Sequence, residues 1–400
     1  MDKGSSDRLQ SNIWKIAVSD VLFSFGLISA IYILFFQFLG FNFEDIGLFE
    51  AITSVVIITT ELPTGVLADF VGRKWTVFAA NTFMLLFALL LGFSSGGVLI
   101  IILAGLFSGL EFSFKSGAKT ALLYDTLKVL QREENFLKIS GKINAFSLVS
   151  GVCGMVLGAF LFGMNPRLPY WLWAVCIGLS LVFIATVYEP VKFEKEYTVK
   201  TYVTDMKNSI LFVFKSKKLL WVAFFFFVAD ICAESYWDVF SQAHLKSVGL
   251  NPSVFGVIFA VFAGVNALAS YYVDGIEKML GEKKSLYVII FVEVVLFAVM
   301  AYCNSGILLI FLLIVFTTNR KFAHLLEDYY KNRYIPSAKR ASILSAVSVL
   351  YNGVFGGFLI IWLFGLSVDI LGGSRTLVVC SFSVLISGLV LLQVRHSKFG

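Results

Sequence analysis

Charge is scarce in this sequence: Asp, Glu, Lys and Arg make up 14% of its 400 residues, against 58% hydrophobic. That balance excludes a soluble globule, which at this size has no interior able to hide so much apolar surface. Long polar stretches are lacking too. Apolar runs recur along the whole chain and the longest interruption lies between Glu189 and Lys218, which leaves no room for a sizeable soluble domain. Cysteine is sparse, and all five (Cys153, Cys176, Cys232, Cys303, Cys380) fall inside apolar runs, where they act as small hydrophobes rather than a disulfide framework. No set of His, Cys and carboxylates has metal-ligand spacing, and no phosphate-cradling loop ends in Gly-Lys-Ser. These absences argue against a metal centre, a bound cofactor and an ATP-driven pump, and predict a protein that is not an enzyme. The first apolar run contains Asp20, reaches about Leu39 and shows no small-residue cleavage site, so an uncleaved first helix is expected.

What is present is a succession of apolar runs bounded by Gly, Pro or charge. They lie near 13–39, 45–67, 75–95, 97–127, 143–164, 168–188, 219–243, 253–274, 285–303, 305–329, 341–366 and 375–393. Backbone in hydrocarbon needs internal hydrogen-bond partners and strand-type alternation is absent, so the runs predict twelve transmembrane helices. An even number puts both termini on one side. Of the 32 basic residues, 25 fall in the loops of that side and three (Arg167, Lys246, Arg375) on the other. By the positive-inside rule both termini are cytoplasmic and the protein sits in the cell (inner) membrane. The net charge of +6 is dispersed among these loops, which points to a lipid bilayer as partner and not to nucleic acid.

The polar segment at the centre of the chain divides it into an N-terminal six-helix bundle (1–188), a cytoplasmic linker (189–218) and a C-terminal six-helix bundle (219–400). A weak internal repeat supports the division. Leu122, Leu123 and Asp125 match Leu325, Leu326 and Asp328 at an offset of 203, as Gly154 matches Gly357; Gly281 to Lys284 echo Gly72, Arg73 and Lys74 at an offset of 209. Parallel repeats of this kind typify transporters with a site between two halves.

The loop after the second run reads Gly65, Val66, Leu67, Ala68, Asp69, Phe70, Val71, Gly72, Arg73, Lys74. It resembles the signature loop of the major facilitator superfamily, G-x-L-A-D-x-x-G-R-K. The resemblance implies that family's fold of two six-helix bundles. It also implies that Asp69 and Arg73 join a cytoplasmic charge network latching the halves in the outward-facing state, that Gly65 permits close helix packing, and that Gly72 makes the tight turn. Asp125, in a segment that resembles the end of helix 4 in bacterial members, is then a partner for the latch. Arg73 and Lys74 also fit the simpler role of positive-inside anchors. Two features depart from the superfamily's antiporters: Leu99 to Gly109 contains no arginine, and the fifth run carries Gly151, Gly154, Gly158 and Gly163 without a proline. Those glycines read as close helix packing.

An ionisable group in the bilayer core costs about 2.5–3.5 kcal/mol on insertion scales, so each is expected to face the protein interior or water. Asp20 lies in run 1; Glu111, Lys115 and Lys119 in run 4; Asp230, Glu234 and Asp238 in run 7; Arg320, Lys321 and His324 in run 10. Those four helices line the central cavity in the family the chain resembles. Residues four apart share a helix face, so Asp230, Glu234 and Asp238 form an acidic stripe, Arg320 and His324 a basic one, and Glu111 can pair with Lys115. The substrate or proton pathway is accordingly assigned to Asp20, Glu111, Lys115, Asp230, Glu234, Asp238, Arg320 and His324. The simpler alternative is that these groups only neutralise one another and hold the halves together.

The reading is a secondary transporter moving a small-molecule solute by alternating access, with proton-coupled efflux of a cationic or amphipathic compound as the expected activity. Uptake of a zwitterionic or anionic metabolite, gripped by Lys115 and Arg320, is the alternative. A receptor or assembly partner that keeps the fold without moving solute is the third.

Overall fold

The computed structural model describes residues 3–190, 199–336 and 340–398, without the side chains of 3–6, 62, 65, 66, 68–70, 199–203, 205, 340–342 and 394–398. Every described element is helical. In chain order these are α1 (Lys3–Phe23), α2 (Tyr32–Phe38), α3 (Phe43–Val71), α4 (Arg73–Phe93), α5 (Val98–Lys115), α6 (Ala118–Val129), α7 (Phe136–Met164) and α8 (Leu168–Ala185). Then follow α9 (Val199–Lys215), α10 (Lys217–Val239), α11 (Ser241–Ser247), α12 (Phe255–Met300), α13 (Gly306–Tyr334), α14 (Arg340–Val349), α15 (Gly357–Leu371) and α16 (Gly373–Lys398). Eight helical stretches among the described residues are long and apolar enough to cross a membrane, nine if the bent pair between Ile343 and Leu371 is one span. The chain is an all-helical, multi-pass membrane protein in which these residues give eight or nine spans where the sequence predicted twelve. One source of the difference is α12, which runs through two predicted spans and leaves helical geometry only at Gly281 (φ 74°, ψ 162°).

The first predicted span is not one helix. It breaks between α1 and α2, where residues 24–31 turn away from the helix. The broken segment packs closely on α7: a Cβ on Gly154 would collide with the backbone at Phe25 and Gly26, and one on Gly158 with the carbonyl of Leu27. Ser24 N–H keeps the helical bond to Asp20 O (2.8 Å), and the Val21 carbonyl is met by Ser150 Oγ of α7 (2.7 Å). The glycines thus admit a neighbour's backbone, as the sequence reading required of them. Gly158→Ala is expected to lower stability by about 1–3 kcal/mol through overpacking. Gly178→Ala on α8, where a Cβ meets open space, is expected to be neutral, both read from thermal melting of the solubilised protein.

The internal repeat is clearer in the backbone than in the side chains. α2 and α11 are both seven-residue helices whose starts lie 209 residues apart. At the same offset, Gly40 and Gly249 both have positive φ (88° and 85°), as do Gly72 and Gly281 (104° and 74°). Only glycine adopts such angles without strain, so an unobtrusive residue type marks equivalent turns.

Two compact units result. The first holds 1–39, 52–203 and 252–257; the second holds 40–51, 204–251 and 258–400. In the first, α4 packs on α5 and α8, and α1 on α8. Ile16, Val77, Leu122, Leu127 and Ile184 are among the buried core there. Polar contacts pin the same helices: Ser19 Oγ lies 2.7 Å from Ser180 Oγ, which accepts from Asn81 Nδ2 at 3.0 Å. In the second, α10 packs on α13, α15 and α16. The start of α3 belongs to this unit, where Asn42 and Asp45 cap each other reciprocally and the Asp369 carboxylate accepts from the N–H groups of Phe43 (3.3 Å) and Glu44 (2.7 Å). Those donors have no partner within their own helix, and a carboxylate there also meets the positive end of the helix dipole.

Candidate functional site

Each unit holds a charged cluster, one built on α1 and the other on α10. In the first unit the α1 residue Asp20 is only 4% exposed. It accepts from Lys119 Nζ of α6 and from Ser147 Oγ of α7, both at 2.6 Å. Glu111 and Lys115, one turn apart on α5, pair at 3.4 Å, and the Lys115 ammonium lies over the Phe23 ring. Breaking a buried pair by removing one partner leaves an uncompensated charge, at a cost of about 3–5 kcal/mol. Lys119→Met is therefore expected to destabilise the protein on that scale, and the double variant with Asp20→Asn to recover most of the loss in the same melting assay.

The signature loop also lies in this unit. Gly72 turns the chain at φ 104° and releases Arg73 into an ion pair with Asp125 (Nε to Oδ2, 2.7 Å). Glu189, beyond the end of α8, accepts from the backbone N–H groups of Arg73 and Lys74, each at 3.0 Å, and so caps α4. Burial pushes the Glu189 carboxyl above its ordinary value, while these two donors and the charges of Lys74 and Arg73 pull the other way. Lys74 lies 4.8 Å from the Trp75 ring centroid. The side chains at Gly65 and Asp69 lie outside the described residues.

The second unit holds the larger constellation. Asp230 on α10 grips Arg320 of α13 in a two-pronged pair, Nε to Oδ1 at 2.7 Å and Nη2 to Oδ2 at 3.1 Å. His324 Nε2 stands 3.4 Å from the same carboxylate. The acidic and basic stripes read from the sequence are thus in direct contact at Asp230. Glu234 follows Asp230 by one helical turn. It has Asp238 and Asp230 as charged neighbours, and Glu50 of α3 adds a fourth carboxylate to the group.

A cavity of about 370 Å³ opens beside this pair. Its walls include Phe226, Phe227, Asp230, Glu234 and His324, together with Glu327, Asp328 and Lys331 from the next turns of α13 and Tyr351 and Asn352 from the turn after α14. Four carboxylates line it against Lys331 and His324, and Arg320 pairs with Asp230. Space for a small solute, an aromatic wall and surplus negative charge suit an organic cation.

The assigned pathway residues therefore fall into two groups by unit: Asp20, Glu111 and Lys115 in one; Asp230, Glu234, Asp238, Arg320 and His324 in the other. Their chemistry repeats. Asp20 and Asp230 lie 210 residues apart, each paired with a cation 201 residues from its counterpart, Lys119 and Arg320. Sequence reasoning missed Ser147, Glu327, Lys331 and Tyr351. Glu327 and Lys331 carried a usable signal, since they follow His324 at three and seven residues and share its face. Glu293 is 2% exposed on α12, and its Oε1 has no hydrogen-bond partner among the described residues.

The family model for the Major Facilitator Superfamily matches residues 16–359. The chain belongs to the Major Facilitator Superfamily. Members of that superfamily are secondary transporters and not enzymes. The chain is similar to an uncharacterized MFS-type transporter, YxaM of Bacillus subtilis (strain 168), with 25% identity over 251 residues. That match spans 61% of this chain and 60% of the relative. Solved structures of the same fold include the nucleoside transporter NupG (16% identity, 98% of this chain and 99% of that chain, TM-score 0.75). A bacterial homolog of the human lysosomal transporter Spinster, inward-facing and unoccupied, is similar over 98% of this chain and 97% of that one (11% identity, TM-score 0.72). A POT family transporter in complex with 5-aminolevulinic acid matches 98% and 96% (12% identity, TM-score 0.69). At such identities the likeness carries the superfamily fold alone.

Proposed function

We propose that this superfamily member moves a small cationic or amphipathic solute across the cytoplasmic membrane by alternating access, with proton-coupled efflux as its direction. In this reading twelve spans form two bundles, residues 1–188 and 219–400, joined by the linker 189–218, with both termini cytoplasmic. One observation carries the solute class: the cavity beside Asp230 has four carboxylates and one lysine in its walls. A cation entering it gains electrostatic attraction that an anion lacks. Asp20, Glu111, Lys115, Asp238, Arg320 and His324 complete the pathway, and the ion pair of Arg73 with Asp125 supports the signature loop as a cytoplasmic latch, which Asp69 joins.

Uptake of a zwitterion is the second reading. Arg320 and Lys331 stand beside the carboxylates, so a solute bearing both an amine and an acid finds partners for each. The test is flux into proteoliposomes, with and without an imposed pH gradient, for ethidium, 5-aminolevulinic acid and uridine. Movement of ethidium driven by the gradient is the expected result. Gradient-driven uptake of 5-aminolevulinic acid alone would replace efflux by the second reading, and folded protein that moves none of the three would favour a receptor or assembly partner.

A further inference from the structure

The cavity contains a built ammonium site. Glu327 is buried on α13 and its Oε1 accepts a short hydrogen bond from the Tyr351 hydroxyl. The same oxygen pairs with Lys331 Nζ at 2.9 Å. Lys331 is one helical turn further along, with its ammonium also 3.6 Å from Asp328 and 5.8 Å from the centroid of the Tyr351 ring. A carboxylate, a second carboxylate and an aromatic face around one nitrogen are the partners a primary ammonium requires. Here the protein's own lysine holds that place, and all four residues line the cavity.

Tyr351 comes from an unusual piece of backbone. Residues Leu350–Val354 form a π turn, in which Phe355 N–H donates to Leu350 O at 2.7 Å, and Gly356 then takes φ 76° before α15 leaves at a 41° bend. Such turns mark sites where an inserted residue re-aims a side chain. The extra residue turns Tyr351 toward α13, and Phe227 and Phe355 support its ring from the side at centroid distances of 5.7 and 6.1 Å.

We infer that Glu327, with Tyr351, is the subsite for a primary ammonium group of the solute, and that Lys331 is a tethered competitor which the solute's ammonium displaces. The inference rests on the cavity's assignment to a cation in the preceding section. Displacement exchanges one ammonium for another on the same carboxylate, so no charge is left buried and unpaired. The released Lys331 retains Asp328, whose side chain is 70% exposed. The same arrangement makes a low-affinity site, which suits a transporter that must let its solute go.

The test is equilibrium binding of 2-phenylethylamine, 2-phenylethanol and tetramethylammonium to the purified full-length protein. Lys331→Met is expected to tighten 2-phenylethylamine by at least about tenfold, equivalent to about 1.4 kcal/mol, and tetramethylammonium, which has no N–H to donate, much less. Glu327→Gln is expected to abolish the amine's advantage over 2-phenylethanol while leaving the neutral compound's affinity unchanged, which also reports that the variant is folded. Tyr351→Phe keeps the ring and is expected to give an intermediate loss. Equal tightening of both cations in Lys331→Met would reduce the effect to net charge and overturn the subsite, as would amine binding that survives Glu327→Gln but not Glu234→Gln. If the unmodified protein shows no preference for either cation over 2-phenylethanol, the parent assignment of a cation to this cavity fails instead.

Discussion

Arg320→Met is expected to stop solute movement and to cost about 3–5 kcal/mol of stability. The guanidinium makes two hydrogen bonds to Asp230. With Arg320 gone, the Asp230 carboxylate keeps His324, at 3.4 Å, as its ion-pair partner among the described residues. Asp230→Asn combined with Arg320→Met removes both charges and is expected to return the melting temperature most of the way, because two neutral groups of similar size need no compensation. Transport separates the roles: a pair that only holds helices together regains flux with stability, whereas a pair in the solute pathway does not. Recovery of stability without flux is the expected outcome, and recovery of both would remove Asp230 and Arg320 from the mechanism.

The second large effect is expected at the signature loop. Arg73→Gln removes one half of the pair with Asp125 and is expected to slow turnover by at least about tenfold, the scale of a 1.4 kcal/mol loss, with solute affinity changed less than about twofold. Affinity is spared because the cavity residues of the second unit are untouched. Asp69→Asn is expected to act in the same way. Steady-state flux gives turnover and equilibrium binding gives affinity, and unchanged turnover in both variants would leave Arg73 as an ordinary anchor at the membrane surface.

Much of this was legible in the residues, and the parts that were not share a physical cause. Apolar length reports where lipid is tolerated, so the membrane class and most helices follow from it. It is silent on backbone continuity, and the break after Phe23 packs against Gly154 and Gly158, more than a hundred residues away. Helical spacing gave the pair of Glu111 with Lys115, because both lie on one helix and one turn apart. It also put Arg320 and His324 on one face, yet only tertiary packing shows that both reach Asp230. Spacing from His324 could have found Glu327, but not its partner Tyr351, which sits on a π turn that no regular periodicity announces. The repeat shows the same limit: few side chains match across the halves, while paired glycines at positive φ carry the offset of 209 in the backbone.

The carboxylate-lined cavity beside Asp230 is proposed to conduct an organic cation. Ethidium flux into proteoliposomes tests it most directly, because a permanent cation cannot leak across lipid as a neutral base. Protein-dependent flux that rises with an imposed pH gradient, and that Glu234→Gln lowers by about tenfold or more, is the expected result. Flux that is equal in protein-free vesicles, or untouched by Glu234→Gln and Asp230→Asn alike, would contradict it.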